Sequence, residues 1–324
     1  MLSNKNKKTI MKTNKKIKNK VKSYHIFCYS LMAIFIGHWA FFFLYSNINS
    51  LLLSFQYFDL KTETFKFYGF SNLFANYGEF FGEIFNDPNV QSYLWNGFKV
   101  WIASIIWLPV PYLVSFAIYK KAPLSNAFTV IFFLPGILTG MFIAMSFKYF
   151  IEWGLPEFMT EVMGFQEFPK MLSDRRYAFG TLLFYQLYFG FASGLIAYVG
   201  IMRKIPDSLV DYSKLEGLSF LQEFIHLALP SLYNIIAMNS LTFLSGMFMS
   251  GLPAYEFYAE NGYEYGVGTF SYYMFTSVIG GTRGRAELSY GFTTAANYVV
   301  GLISVISICI MKPIFEKFNP EFEV

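Results

Sequence analysis

In the second half of this sequence, polar side chains are concentrated in one stretch, from Ile205 to Pro230. It is the one charge-bearing segment longer than a turn in the second half of an otherwise apolar chain. Around Gly217 it carries two carboxylates, an amine and a phenol, on Asp211, Glu216, Lys214 and Tyr212. Side chains of these types form ion pairs and hydrogen bonds across protein surfaces. We therefore interpret the stretch as a docking device.

Catalysis needs a constellation of groups, and the sequence offers none. No Gly-Lys dipeptide occurs, which excludes a Walker-type phosphate-binding loop. No His-Glu-x-x-His pattern occurs, and the three histidines, His25, His38 and His226, lie far apart in sequence. The glycines of 280–285 do not open a helix after a strand, which disfavours a nucleotide site. We expect no catalytic residue, no metal site and no cofactor bound by this chain.

Six apolar runs would have to position the docking stretch. The chain is 55% hydrophobic and 14% charged, whereas about a quarter of the residues of a soluble domain are charged. Long apolar runs with few charges are typical of membrane-spanning helices. The sequence therefore predicts an all-α, polytopic membrane protein, with a transmembrane domain over 24–318 between a basic segment (1–23) and a tail (319–324). The spans are predicted at about 24–55, 94–119, 126–150, 178–202, 231–252 and 288–311.

Prolines and loop composition add detail to this plan. Pro109 and Pro111 predict a kink in the second span, and Leu134-Pro135-Gly136 is predicted to interrupt the third. Residues 56–93 predict an outer loop with short helices. Residues 253–287 predict a Tyr- and Gly-rich outer loop that touches a partner or a solute, or else anchors at the bilayer interface.

Charge placement predicts which side of the membrane each connection faces. Met1–Ser23 carries nine lysines and no acid. Such a segment could be an arm that binds nucleic acid. Because it lies next to a membrane span, we favour a cytoplasmic anchor that contacts anionic lipid headgroups. Six spans then place both termini and the connections 120–125 and 203–230 on the inside. The inside segments hold 16 Lys and Arg and seven acids, whereas the outside segments hold nine Lys and Arg and 14 acids. The basic excess lies inside, as the positive-inside rule requires.

The docking stretch predicts two short helices joined at Glu216-Gly217. Pro206 suits the first turn of a helix over Asp207–Leu215. This helix would carry three apolar side chains on one side, on Leu209, Tyr212 and Leu215. Gly217 permits the positive φ that a tight turn between helices requires.

The second helix of the stretch would begin at Ser219, a residue type that caps helices well. It repeats Phe220, Phe224 and Leu227 on one face, while Gln222, Glu223 and His226 offer polar contacts. The alternative interpretation of both helices is an ordinary amphipathic loop at the membrane surface.

This segment resembles the cytoplasmic EAA signature of ABC-importer permease subunits, Glu-Ala-Ala-x-x-Asp-Gly with a proline thirteen residues after the glycine. Asp211 stands at the Glu position, Glu216 at the Asp position and Gly217 at the Gly, and Pro230 lies thirteen residues further on. Tyr212 and Ser213 replace the two alanines. The spacing of acid, acid, Gly and Pro is intact.

Other stretches resemble the carbohydrate-uptake branch of these permeases, of the maltose and glycerol-phosphate type. Phe67 to Asn72 is similar to its F-x-G-x-x-N pattern, and Asp87-Pro88 and Asn96 fall where the family writes Asp-Pro and Asn-Thr. Phe133-Leu134-Pro135 resembles its F-L-P in the third span. Together the likeness covers about 25–318.

The resemblance implies a type I ABC importer permease fold and a transport subunit rather than an enzyme. It implies a second permease subunit, two cytoplasmic ABC ATPase subunits that use ATP and Mg²⁺, and an extracytoplasmic solute-binding protein that delivers a sugar across the bacterial plasma membrane. No nucleic acid takes part. The residues assigned to ATPase coupling are Asp211, Tyr212, Lys214, Glu216, Gly217, Phe220, Phe224 and Pro230. Alternatives are the same architecture for a polyol, a glycerol-phosphate compound or a peptide, and an ion-coupled carrier.

Polar residues inside the spans suggest a solute pathway, because such residues face a wet cavity or the bundle interior. In the fourth span Gln186, Gly190, Ser193 and Ala197 share one helical face, and Tyr188 lies nearby. An amide and an aromatic face suit a sugar. Asn239 in the fifth span and Asn297 in the sixth are further candidates, although small and polar residues also serve helix packing.

Overall fold

The computed structural model describes residues 26–190, 194–279 and 286–318, and these are mostly helical. The all-α fold class is thereby confirmed. The basic segment 1–23, the glycines of 280–285 and the tail 319–324 lie outside the described residues. The chain divides into two compact units, Met1–Leu73 and Phe74–Val324, each of which has its own architecture.

The first unit holds one long helix and a hairpin. Helix α1, Ile26–Leu53, is apolar and 28 residues long, enough to cross a bilayer. After it, β1 (Gln56–Asp59) pairs antiparallel with β2 (Thr64–Phe67), where the sequence predicted only loop and short helices. Lys66 pairs with Asp59 across the hairpin, and this contact, aided by the Lys61 N–H, lowers the pKa of Asp59 to about 2.

The second unit is a set of helices joined by short connections. Their bounds are α2 Ala75–Asn86, α3 Pro88–Trp107, α4 Pro109–Tyr119, α5 Ser125–Ile137, α6 Gly140–Tyr149, α7 Arg175–Gly190, α8 Leu195–Met202, α9 Asp207–Leu215, α10 Phe220–Ser231, α11 Tyr233–Ser245, α12 Ala254–Tyr258, α13 Phe270–Ile279 and α14 Ala286–Lys317.

Proline placement explains one break and not another. α3 and α4 form one apolar helical stretch, Pro88–Tyr119, whose regular hydrogen bonding lapses at Leu108, directly before Pro109; the kink remains a prediction. In the third predicted span, α5 continues to Ile137, and the break lies at 138–139 rather than at 134–136. A proline bends a helix without having to end it, whereas Thr139 is extended (ψ 139°) and starts the next helix.

The apolar helices identify a multi-pass membrane protein. In the described part, three helices are long and apolar enough to cross a membrane, namely Ile26–Leu53, Pro88–Tyr119 and Glu287–Lys317. Two bent pairs also pass the test, each as a broken span or a re-entrant loop: Arg175–Gly190 with Leu195–Met202, and Phe220–Ser231 with Tyr233–Ser245, the latter bent by 75°. The count of six spans and the orientation remain predictions.

The supposed outer loop at 253–287 is largely helical where it is described, which corrects the expectation. α13 packs against α3 and α14. Its Phe270 is fully buried, with its ring centroid 5.9 Å from that of Phe80. Tyr263 and Tyr272 are likewise packed ring against ring, 4.9 Å apart. The Tyr- and Gly-rich composition suggested a loop, but in the structure these aromatic rings pack in a core around the helix.

One acid of the segment predicted to be an outer loop also has a structural task. Glu152, which follows α6, is 7% exposed. Its carboxylate accepts hydrogen bonds from the N–H of Leu172 at 2.7 Å and of Ser173 at 2.9 Å, and from the Ser173 hydroxyl at 2.6 Å. Three donors compensate a buried carboxylate, so this acid holds the connection before α7 in place.

Candidate functional site

A glycine turn joins α9 to α10. Gly217 has φ +68°, and the N–H groups of Gly217 and Leu218 donate to the carbonyls of Lys214 and Ser213, each at 3.1 Å. This is the Schellman arrangement, in which a left-handed residue ends a helix. Ser219 then starts α10 in a reciprocal capping box with Gln222. The predicted helix–turn–helix is confirmed, with Pro206 directly before α9 rather than inside its first turn.

The inner side of this segment is tied to the end of α4 by an ion pair. Lys120 Nζ lies 2.6 Å from Glu223 Oε1, and the side chain of Glu223 is only 8% exposed. The hydroxyl of Ser213 donates to the same oxygen at 3.0 Å. One carboxylate on α10 therefore holds α4, α9 and α10 together.

Aromatic rings add an apolar anchor beside this ion pair. Phe116 on α4 is fully buried. Its ring centroid lies 5.5 Å from that of Phe224 and 4.9 Å from that of Phe220. Burying a Phe side chain contributes about 1.5–3 kcal/mol. The segment is thus seated on α4.

The outer side of α9 is apolar and uncovered. Leu209, Tyr212 and Leu215 are 39%, 60% and 87% exposed. Charges border this stripe: Lys214 Nζ lies 2.9 Å from Asp211 Oδ1, and a hydrogen bond to the Glu216 carboxylate raises the pKa of the Tyr212 hydroxyl. An apolar stripe with a polar rim is typical of a protein interface.

A separate cavity of about 260 Å³ lies between α3, α4, α7, α8 and α11. Gln186 and Gly190 line one side and Asn239 the other, with Thr242 beside it. The Asn239 amide nitrogen donates to the hydroxyls of Tyr112 and Tyr198, each at 2.9 Å. The cavity therefore combines amides with aromatic rings, groups that suit a polyhydroxylated solute.

Comparison with known sequences finds ABC permeases. The chain is 26% identical over 79% of its length, and 81% of the other's, to the "Probable ABC transporter permease protein YesP" of Bacillus subtilis. It is 26% identical to the multiple sugar-binding transport system permease protein MsmF of Streptococcus mutans, over 44% of this chain and 48% of the other. The arabinooligosaccharides transport system permease protein AraP of Bacillus subtilis is 23% identical over 63% of each. No protein-family model matches the chain.

Comparison of folds finds the same class. The structure matches a chain of a bacterial ABC transporter involved in the import of the acidic polysaccharide alginate, with a TM-score of 0.69, 15% identity, and coverage of 90% of this chain and 96% of the other. The same transporter bound to its alginate pentasaccharide-loaded periplasmic protein matches equally well. The resemblance to sugar ABC importer permeases is confirmed. The chain has the fold of an ABC importer permease.

Within this permease fold, the predicted coupling residues divide by the side they face. Five are exposed around the turn: Asp211, Tyr212, Lys214, Glu216 and Gly217. Phe224 is buried, Phe220 packs on Phe116, and Pro230 is half-buried just before the bend at Leu232. The exposed group can meet a partner, and the other three seat the segment.

Sequence reasoning missed the inner anchor of the segment. Lys120, Ser213 and Glu223 form it, and none was assigned to coupling. The only feature of the sequence that could have indicated this contact was the opposite charge of Lys120 and Glu223. Lys120 is one of two lysines in the short turn after the second span, and Glu223 is the one acid in the second short helix.

The pathway residues are brought together only in part. Gln186, Gly190 and Asn239 line one cavity. Tyr188, two residues from Gln186, points elsewhere, because successive helical positions differ by about 100°; it packs on Phe132 and Phe184. Asn297 is exposed on α14, and Ser193 lies outside the described residues. The aromatic residues that line the cavity are Trp107, Tyr198 and Phe243 instead.

Proposed function

We propose that this chain is the transmembrane permease subunit of an ATP-driven, binding-protein-dependent sugar importer of the bacterial plasma membrane. The observation that carries the proposal is the two-sided α9–α10 segment, with an uncovered apolar stripe outward and an ion-paired anchor inward. The chain would assemble with a second permease, two ABC ATPase subunits and an extracytoplasmic solute-binding protein. The sugar-transport relatives and the alginate importer fold support this assignment.

Coupling follows from how the segment is held. The ATPase subunits would bind and use ATP and Mg²⁺, and would receive the stripe of Leu209, Tyr212 and Leu215 in a groove. Movement of that groove pulls on α9 and α10 as one body, because Ser213 and Glu223 bond to each other. The Lys120–Glu223 ion pair then passes the displacement to α4. Alternating access would result because this displacement tilts α4 and the helices packed on it relative to the rest of the bundle.

The solute would pass the cavity between α7 and α11. Gln186 is exposed there, so its amide is free to exchange hydrogen bonds with sugar hydroxyls. Asn239 is held through its amide nitrogen by two tyrosines, which leaves its carbonyl oxygen to accept a hydroxyl. Amides bind hydroxyl groups without charge, as a neutral or weakly charged sugar requires.

Co-purification tests the docking assignment. The chain is expressed with candidate ATPase and second permease subunits from the same genome, and the ATPase retained after affinity capture of this chain is measured. Leu215→Glu places a charge in the centre of the stripe, and we expect it to release most of the ATPase. Phe85→Glu is the matched control, because Phe85 is 74% exposed on α2, away from the segment. Equal retention in both variants would reject the coupling role of α9.

A further inference from the structure

A larger cavity, of about 770 Å³, lies beside the coupling segment and shares no residue with it. It is bounded by the end of α4, the start of α5 and the end of α8. A volume of this size is within the range of pockets that hold small ligands, about 300–1,000 Å³. The sugar-pathway cavity lies elsewhere, between α7 and α11.

The lining of this cavity has an apolar part and a basic part. Ile118, Ile196 and Val199 form the apolar wall. Gly200 lies in the same wall, and a side chain built there would meet nothing within 4 Å. Lys121 and Arg203 stand where α4 and α8 end. The lining therefore changes from hydrocarbon to cation along one direction, from the helices towards their ends.

The backbone fixes where the lysine leaves α4. Lys121 has φ +51°, and its N–H donates to Ile118 while that of Ala122 donates to Ala117, at 3.1 and 3.0 Å. This is a Schellman turn with lysine at the left-handed position, where glycine is usual. The cation is thus held at the mouth of the cavity by a turn that costs some backbone energy.

The two cations of the cavity lack an acid. Within 26–190, 194–279 and 286–318, no carboxylate forms an ion pair with Lys121 or Arg203, whereas the adjacent Lys120 is paired with Glu223. Asn126 and Ser125 add an amide and a hydroxyl to the same rim. The rim therefore offers two positive charges and several hydrogen-bonding groups with no anion to match them.

We propose that this cavity binds the headgroup of an anionic membrane phospholipid, with an acyl chain along Ile118, Ile196 and Val199. The phosphate pairs with Lys121 and Arg203, and the glycerol hydroxyls or ester oxygens meet Asn126 and Ser125. A phospholipid fits this lining because its charged headgroup can lie at the basic rim while its acyl chain lies along the apolar wall. Basic pockets between spans on the cytoplasmic side favour such lipids.

Native mass spectrometry of the full-length chain tests the site. The protein is delipidated in detergent and titrated with mixed micelles of phosphatidylglycerol and phosphatidylcholine, and bound lipid is counted. Each cation near an anionic headgroup is worth about fivefold in binding, so Lys121→Gln with Arg203→Gln should weaken phosphatidylglycerol binding roughly thirtyfold. Lys61→Gln with Lys204→Gln, exposed lysines that do not line the cavity, is the charge-matched control and should change little.

Filling the cavity gives a second variant that leaves every charge in place. Gly200→Leu projects into the apolar wall and should also reduce retained phosphatidylglycerol, whereas Gly180→Leu on α7, which likewise has open space, should not. Equal lipid retention in the cavity variants and their controls would overturn the proposal. So would displacement of the lipid by inorganic phosphate, which would assign the rim to a soluble anion, or an Asn126→Cys cross-link to a partner subunit seated in the cavity.

Discussion

Lys120 and Glu223 are 103 residues apart in sequence and form a 2.6 Å ion pair that closes the α9–α10 segment onto α4. The Glu223 side chain is 8% exposed and the Lys120 side chain 23%. Because the Ser213 hydroxyl bonds to the same oxygen, the pair is a charged contact through which both short helices reach the end of α4. This relationship makes the mechanical role of the segment testable.

Removing one partner of this pair should destabilise the chain and uncouple it. Glu223→Gln leaves the Lys120 ammonium without its anion, at a cost of about 3 kcal/mol, the low end for buried pairs because Lys120 is partly exposed. We expect a lower melting temperature in detergent and, in reconstituted complexes, ATP hydrolysis that drives less sugar uptake.

A charge swap separates coupling from simple instability. Lys120→Glu with Glu223→Lys restores an ion pair and should recover much of the uptake per ATP hydrolysed. Lys312→Gln is the control, since its pair with Glu316 lies outside the coupling segment and is 63% and 67% exposed, and exposed pairs contribute at most about 1 kcal/mol. If the swapped chain is as uncoupled as the single variant, the pair has no part in transmission.

The turn at Gly217 should depend on backbone conformation rather than on space. A side chain built there meets nothing within 4 Å, but φ is +68°. Gly217→Ala should therefore cost about 1–2 kcal/mol from the left-handed backbone alone and weaken ATPase retention. Gly217→Asn should be better tolerated, because asparagine adopts this region more readily. Retention that falls more for Asn than for Ala would point to a steric role instead.

The amide of Asn239 should support the shape of the solute cavity. Asn239→Leu removes both hydrogen bonds to Tyr112 and Tyr198, and each unsatisfied buried hydroxyl costs about 1–3 kcal/mol. We expect a lower melting temperature together with reduced uptake. Asn234→Leu, on the exposed side of the same helix, is the matched control, and equal loss in both would show a general effect on α11.

Local chemistry made the coupling segment predictable, since Gly217 at a turn and Ser219 at a cap act through neighbours in sequence. The Lys120–Glu223 pair was not predictable, because contacts across 103 residues depend on packing that no spacing encodes. Tyr188 lies apart from the cavity because nearness in sequence is not a shared face: two successive steps along a helix turn the side-chain direction by about 200°. Buried aromatics such as Phe270 hid a helix in what looked like a loop.

Gln186 and Tyr188 are both predicted from the sequence to contact the sugar, but their positions in the structure imply different effects on transport. Gln186 lines the cavity with Asn239, so Gln186→Leu loses a hydrogen bond to the solute worth about 1 kcal/mol, or roughly fivefold in KM. Tyr188 packs on Phe132, 6.0 Å between centroids, so Tyr188→Phe keeps that packing and should leave KM unchanged. Uptake of labelled oligosaccharide by proteoliposomes at several sugar concentrations measures both. A normal KM for Gln186→Leu would remove α7 from the solute pathway.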